Sequence, residues 1–213
     1  LSEDLAEDLA EELAGTEIWL SGQERGPRRF VLSDTLRTDA VTAIDVLRAQ
    51  GLRLVLLSGD RRSVVAETAG QLGIEDFEAD ILPDEKVDRV NTLTGQGHKV
   101  LMVGDGLNDA PALAAGFASM SPSTAADISK TAADIIFQGE ALSSVPATIR
   151  TARSADRLVR QNFGLAFFYN AVAVPLAVAG LATPLVAAVA MSSSSLIVTL
   201  NALRLRLMAW KPG

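Results

Sequence analysis

From Phe163 to Leu203 the chain contains no Asp, Glu, Lys, Arg or His. About 20 apolar residues are needed to cross the ~30 Å hydrocarbon layer of a bilayer, and this stretch holds two such lengths around Ala182-Thr183-Pro184. It therefore reads as a tight helical hairpin in a membrane. Arg150, Arg153, Arg157 and Arg160 precede it, and Arg204, Arg206 and Lys211 follow it. Basic residues stay on the cytoplasmic side, so both flanks are expected there and the Thr183-Pro184 turn outside. A buried hairpin of a large soluble protein would also lack charges, but two adjacent spans of membrane length with basic flanks fit a bilayer better.

Within that apolar run the polar residues are grouped. Tyr169 and Asn170 lie in the first helix, and Met191, Ser192, Ser193, Ser194 and Ser195 in the second. Met191 and Ser195 are four apart and share a helical face. Thioether, hydroxyl, phenol and amide groups together suit a soft cation bound without formal charge. The competing reading, which spacing alone favours, is that these groups hydrogen-bond helices to one another.

Residues up to about Arg160 are different in kind, mixing charges, turns and short apolar runs. A formal charge of -7 and a pI near 4.8, with no basic stripe, argue against general nucleic-acid binding. With no cysteine there is no disulfide framework and no thiolate metal site. No signal-peptide pattern is present at the start. The chain opens at Leu1 directly into an acidic helical pattern, Ser2 to Ala14, with Leu5, Leu9 and Leu13 on one face. A solvated surface helix in a fragment of something longer is expected. His98, in a glycine-containing turn, reads as a surface residue, and Trp210 with Lys211 as an interfacial anchor.

Between Arg28 and Phe137 short apolar runs alternate with amphipathic helical patterns. The expected strands are Phe30-Leu32, Leu52-Leu57, Ala79-Leu82, Val100-Val103 and Ile135-Phe137; the expected helices are Asp39 to Gln50, Ser63 to Leu72, Lys86 to Leu93 and Ala110 to Ala115. This alternation predicts an α/β fold with a doubly wound parallel sheet. Ligands of such sheets bind at the carboxyl ends of the strands. Three of those ends carry informative residues. Ser58-Gly59-Asp60 offers a hydroxyl and a glycine turn for an anion. Pro83-Asp84-Glu85-Lys86 places a lysine at a helix start. Gly104-Asp105-Gly106-Leu107-Asn108-Asp109-Ala110-Pro111 places two carboxylates about one turn, where Asp105 and Asp109 could hold Mg²⁺ through oxygen and water. Each alone is ordinary loop chemistry. Three in order, at strand ends of one sheet, point to a shared crevice.

Ser58, Lys86 and the Gly104 to Asp109 run resemble the later motifs of the haloacid dehalogenase superfamily. The longer Gly104 to Pro111 pattern followed by a membrane hairpin resembles the P-type ATPases within it, over about Gly15 to Leu205. Asp34-Thr35-Leu36-Arg37 is similar to that family's Asp-x-x-Arg segment, and Gln161-Asn162 to its entry into the penultimate helix. Tyr169-Asn170 and Met191-x-x-Ser194-Ser195 resemble the paired intramembrane motifs of the copper-type heavy-metal transporters. Ser119 to Asp127 is similar to the bacterial branch thought to supply copper for respiratory oxidase assembly.

The resemblance implies an ATP-driven, Mg²⁺-dependent heavy-metal pump, a multi-pass protein of the bacterial inner membrane with its soluble domain in the cytoplasm. It implies Cu⁺ as cargo, bound through Tyr169, Asn170, Met191, Ser194 and Ser195. Lipid, ATP, the cation and the transporter's remaining domains would be its partners. In such pumps an aspartate of an Asp-Lys-Thr-Gly-Thr motif takes the γ-phosphate of ATP. By the same carry-over Ser58, with Gly59 and Asp60, would hydrogen-bond a phosphoryl oxygen and Lys86 would neutralise charge. Asp105 would bind Mg²⁺, with Asn108 and Asp109 supporting that shell. Residues 1–27 would be the tail of a nucleotide-binding domain, 28–149 a phosphorylation domain, 150–162 a basic linker helix, 163–205 two spans and 206–213 a tail. The Asp-Lys-Thr-Gly-Thr motif does not occur in the sequence, nor does an actuator domain or a Cys-Pro-Cys helix, so the chain alone is expected neither to autophosphorylate nor to transport. Two alternatives stay open: a small phosphatase using Asp34 as nucleophile, and a membrane-anchored regulator without catalysis.

Overall fold

The structure is a computed structural model that describes residues 16–20, 28–32, 35–105, 107–181 and 183–209. The acidic pattern Ser2 to Ala14, the nucleophile candidate Asp34, Gly106 and the Trp210-Lys211 anchor lie outside the described residues. The chain divides into two compact units, one ending at Val145 and the other beginning at Pro146.

In the first unit β1 (Thr16–Leu20) and β2 (Arg28–Leu32) pair antiparallel, Thr16 opposite Leu32. Then follow α1 (Ala40–Ala49), β3 (Leu56–Leu57), α2 (Arg62–Leu72), β4 (Phe77–Glu78), α3 (Pro83–Gly95) and β5 (Leu101–Val103). After a short 3₁₀ turn, Leu107–Asp109, come α4 (Ala110–Ala115), β6 (Ala118–Pro122), α5 (Asp127–Ala132) and β7 (Ile135–Phe137). β3 pairs parallel with β4, and β5, β6 and β7 form a parallel three-stranded ladder in that order. Each parallel pair is joined through a helix, the βαβ connection that the alternating pattern predicts.

The strand expected at Ala79-Leu82 begins two residues earlier and is confined to Phe77–Glu78. Asp80 has a positive φ of 57°, which breaks the extended backbone. The amides of Asp80 and Ile81 then bond the carbonyls of Asp60 and Ser58, at 2.9 and 3.3 Å, as a connection between loops. Of Leu52-Leu57 only the last two residues join a ladder. Strand β6 is the element the apolar pattern does not announce, because its sequence is Ala-Ser-Met-Ser-Pro. It is nonetheless buried: Asp134 Oδ2 accepts from both the amide (2.9 Å) and the hydroxyl (3.0 Å) of Ser119, whereas the buried Ser121 hydroxyl has no hydrogen-bond partner among the described residues.

The core beneath the strand tips holds Val90 of α3, Met102 of β5 and Ala112 and Leu113 of α4. Complete burial of an aliphatic side chain such as Val90 or Leu113 contributes about 1.5–3 kcal/mol. A Cβ at Gly116 would lie 2.9 Å from the Ala118 carbonyl oxygen, so only glycine lets the turn after α4 run so close to β6. This packing fixes α3 and α4 side by side at the tip of β5.

Helix α6 (Ser144–Val178), which belongs to the second unit from Pro146 on, is one continuous helix of 35 residues, in which the basic segment 150–162 and the first apolar segment run together. At 1.5 Å per residue it is about 52 Å long, more than a bilayer core requires. Gly180, at φ 74°, ends it, with Leu181 N bonding the Leu176 carbonyl at 3.0 Å, the left-handed closure that glycine favours. Helix α7 (Pro184–Ala209) starts with proline at its first position and Thr183 as cap, Val186 N donating to Thr183 Oγ1 at 3.3 Å. Both helices are long and apolar enough to cross a membrane. Phe163, Phe167 and Leu185 are exposed, as expected of helices whose neighbours are lipid or further helices. Near the charged end, Asn201 Nδ2 donates to Asn162 Oδ1 at 2.9 Å across the hairpin, and Arg204 donates to Asn201 Oδ1 at 3.1 Å.

Candidate active site

Helix α3 begins where local chemistry says it should. Pro83 occupies its first position, Asp84 and Glu85 follow in the first turn, and the Leu82 amide donates to Glu85 Oε2 at 2.6 Å. Lys86, next in that turn, is ill suited to the positive end of a helix dipole. It is still buried, its side chain only 11% exposed, because Nζ donates to Asp109 Oδ1 at 2.7 Å and Asp109 is itself 16% exposed. The carboxylate compensates a lysine that the helix terminus would otherwise repel. A buried pair of this kind needs both partners, since removing one strands the other charge.

Asp109 is pressed against the backbone after β5. A Cβ at Gly104 would meet Asp109 Cβ at 2.8 Å, so glycine is required for the two to approach. The Gly104 amide continues the ladder to Met120 O at 3.2 Å, and the Asp105 carbonyl accepts from Ala126 N at 3.3 Å. The Asp105 side chain is 55% exposed, and its Oδ2 accepts from Arg37 NH2 at 2.9 Å. Asn108 is exposed beside it.

The Ser58 turn is joined to the same neighbourhood through backbone. Ser58 N extends β3 onto Glu78 O at 3.0 Å. Its hydroxyl donates to Asp60 Oδ2 at 2.7 Å and accepts from the Asp60 amide at 3.2 Å, so it is engaged inside its own turn. A Cβ at Gly59 would sit 3.3 Å from Ile81 O. Asp80, whose amide bonds Asp60 O, also accepts from the first amide of α2, Arg62 N, at 3.1 Å. It thereby clamps the Ser58 turn from both sides. The structure thus joins Lys86 to Asp109 side chain to side chain and Gly104 to Asp109 by close packing. The Ser58 turn meets the loop leading into α3 through Asp80 and Ile81.

Sequence reading did not find Asp80, because its partners stand 18 to 20 residues away; an aspartate tolerant of positive φ was the available signal. It also missed Asp39, whose Oδ2 accepts from Ser143 N at 2.8 Å. That backbone hydrogen bond holds the Asp39 carboxyl below the usual carboxylate range. Arg37 reaches the same segment, NH1 donating to Glu140 O at 2.6 Å.

Among the described residues no group of three or more His, Cys, Asp or Glu gathers to hold a metal. Mg²⁺ takes one or two carboxylates and completes its octahedron with water and phosphate oxygens, so the 55% exposed Asp105 carboxylate would suit it without a larger cluster. The intramembrane residues are arranged differently. Asn170 Nδ2 donates to Ala166 O at 2.9 Å and Ser193 Oγ to Val189 O at 2.7 Å, each within its own helix. Met191 is 65% exposed. Tyr169 and Ser194 are half-buried and Ser195 is exposed.

Parallel strands joined by helices, with a hydroxyl turn, a buried lysine and two aspartates beside their ends, define an α/β domain. The chain belongs to the haloacid dehalogenase-like hydrolase family, which it matches over residues 2–116. The similarity narrows further. Nitrogen fixation protein FixI of Rhizobium leguminosarum bv. viciae is 53% identical over 190 residues, 89% of this chain and 25% of that protein. The copper-exporting P-type ATPase of Mycobacterium leprae is 43% identical over 175 residues, 82% of this chain and 22% of that protein. The crystal structure of a zinc-transporting PIB-type ATPase in its E2·Pi state superposes with a TM-score of 0.81 at 32% identity, over 95% of this chain and 33% of that one. The chain spans about a quarter of the length of the curated relatives it matches.

Proposed function

We propose that these residues form the later part of the phosphorylation domain and the last two membrane helices of a heavy-metal P-type ATPase. The buried Lys86–Asp109 pair against Gly104, on a chain that also carries a membrane hairpin, is the observation that favours it. Within this reading Lys86 faces the phosphoryl group of an aspartyl phosphate, and the Ser58 turn, with Gly59 and Asp60, supplies hydrogen bonds to its oxygens. Asp105 and Asp109 would hold Mg²⁺, which neutralises phosphoryl oxygens when bound, and Asn108 supports them. The acceptor aspartate, ATP and the remaining domains come from outside these residues, since no Asp-Lys-Thr-Gly-Thr motif occurs here.

The cargo we assign is Cu⁺, taken through Tyr169, Asn170, Met191, Ser194 and Ser195 once other helices complete the site. Thioether donors suit a soft monovalent ion. A similar protein is named for copper export and a similar structure for zinc transport. In this reading the first unit lies in the cytoplasm of a bacterial cell and the hairpin in its inner membrane among lipids, which the basic residues on both flanks of the hairpin support.

The purified chain, assayed with a generic phosphomonoester and with γ-labelled ATP, tests this reading against the phosphatase alternative. Neither turnover nor protein-bound label is expected. Phosphomonoester turnover abolished by Asp34→Asn would replace the reading with that of a small phosphatase.

A further inference from the structure

We infer that Arg37 is a positioning residue that weakens divalent-cation binding at Asp105, keeping the cation exchangeable. The inference rests on the reading of Asp105 as a Mg²⁺ ligand. Arg37 NH2 lies 2.9 Å from Asp105 Oδ2, on a side-chain pair 35% and 55% exposed. Its other terminal nitrogen, NH1, is held by the Glu140 carbonyl at 2.6 Å. A planar guanidinium anchored at two points cannot swing away as freely as one that touches a single acid. A Mg²⁺ ion binds a carboxylate oxygen at about 2.0–2.1 Å. Even if it took the other oxygen of Asp105, it would stand only a few ångström from a fixed positive charge. Neither Arg37 partner is a neighbour in sequence, 68 residues separating Arg37 from Asp105 and 103 from Glu140. The fold therefore brings the guanidinium to this carboxylate, and local turn chemistry does not account for it.

The two pairs at the crevice then have opposite characters. Lys86–Asp109 is buried. Arg37–Asp105 is partly solvated, of the kind that contributes little to stability and is free to modulate a ligand. A cation held too tightly by the domain would stay behind when its phosphoryl partner leaves. A fixed counter-charge at one ligand opposes that.

The test is calorimetric titration of MgCl₂ into the full chain in detergent, with Arg37→Gln, Arg37→Lys and Asp105→Asn beside the wild type. Removing one unit charge near a divalent ion in a near-aqueous setting is expected to tighten binding about five- to twentyfold in Arg37→Gln. Arg37→Lys, which keeps the charge, is expected to stay within about twofold of wild type. Unchanged or weaker binding in Arg37→Gln, with Asp105→Asn still abolishing it, would overturn the inference and leave the Mg²⁺ reading intact. Binding that ignores Asp105→Asn, or is absent throughout, would overturn both. If Arg37→Gln does not fold, the guanidinium ¹⁵N signal of Arg37 in the wild type decides: it is expected to shift on Mg²⁺ titration, and a signal that stays still would overturn the inference.

Discussion

In the soluble unit the motif residues are tied to one another across long stretches of chain, Lys86 to Asp109 and Arg37 to Asp105. In the hairpin the motif residues Asn170 and Ser193 are tied to carbonyls of their own helices. The difference follows from solvent. A buried lysine at the positive end of a helix has no water to fall back on, so its acid must come from another element. A polar side chain on an apolar helix satisfies itself by bonding back one turn, and it turns to a cation or another helix only when one is present. The motif side chains of the first unit are therefore paired with one another within this chain, whereas Asn170 and Ser193 are satisfied by their own helices.

Four substitutions break or sharpen that contrast. Lys86→Ala strands the buried Asp109 carboxylate and is expected to lower stability by about 3–5 kcal/mol; urea unfolding of the full chain in detergent, followed by near-UV dichroism, measures it. Lys86→Ala within 1 kcal/mol of wild type, at about the scale of an exposed pair, would mean that the pair does not organise the crevice. Gly104→Ala drives a Cβ to 2.8 Å from Asp109 Cβ. The overpacking is expected to cost about 1–3 kcal/mol in the same unfolding experiment.

Asp39→Asn probes the segment that Arg37 also grips. The Asp39 carboxyl is depressed in the folded chain by the Ser143 amide, so its stabilisation is complete above the unfolded value of about 3.9 and fades as pH falls through the lower folded value. The variant is expected to be less stable than wild type at pH 7, by no more than about 1 kcal/mol for a hydrogen bond near solvent, and to converge with wild type as pH falls through the lowered folded value. A difference that persists at low pH would assign the loss to packing. Asn201→Leu removes the cross-hairpin bond to Asn162 and is expected to cost about 0.6 kcal/mol, the mean for a hydrogen bond between membrane helices. Crosslinking between cysteines placed at the two helix ends would register the loosening.

Much of this architecture was legible in the residues. Strand β7 and helix α4 fall where apolar runs and helical spacing put them, and the charge-free run supplies both long apolar helices. The polar β6 was hidden because Ser119 is satisfied by Asp134, a partner 15 residues on that no periodicity reveals. The shifted β4 was missed because Asp80 turns the backbone to clamp the Ser58 turn. At the site, the residue types at the strand tips could be read, because glycine turns and helix starts are local signals. Which charge meets which could not, since Lys86 and Asp109 are joined only by packing α3 against α4.

The central claim, that these strand tips serve an aspartyl phosphate made elsewhere in a metal pump, is tested most directly by a chimaera. This chain would replace the matching quarter of the Mycobacterium leprae copper-exporting ATPase, and acid-stable label from γ-labelled ATP would be measured with and without Cu⁺. Copper-stimulated label is expected, lost in the Lys86→Ala chimaera and retained in an Asp34→Asn one. Label that survives Lys86→Ala unchanged, or that depends on Asp34, would contradict the account.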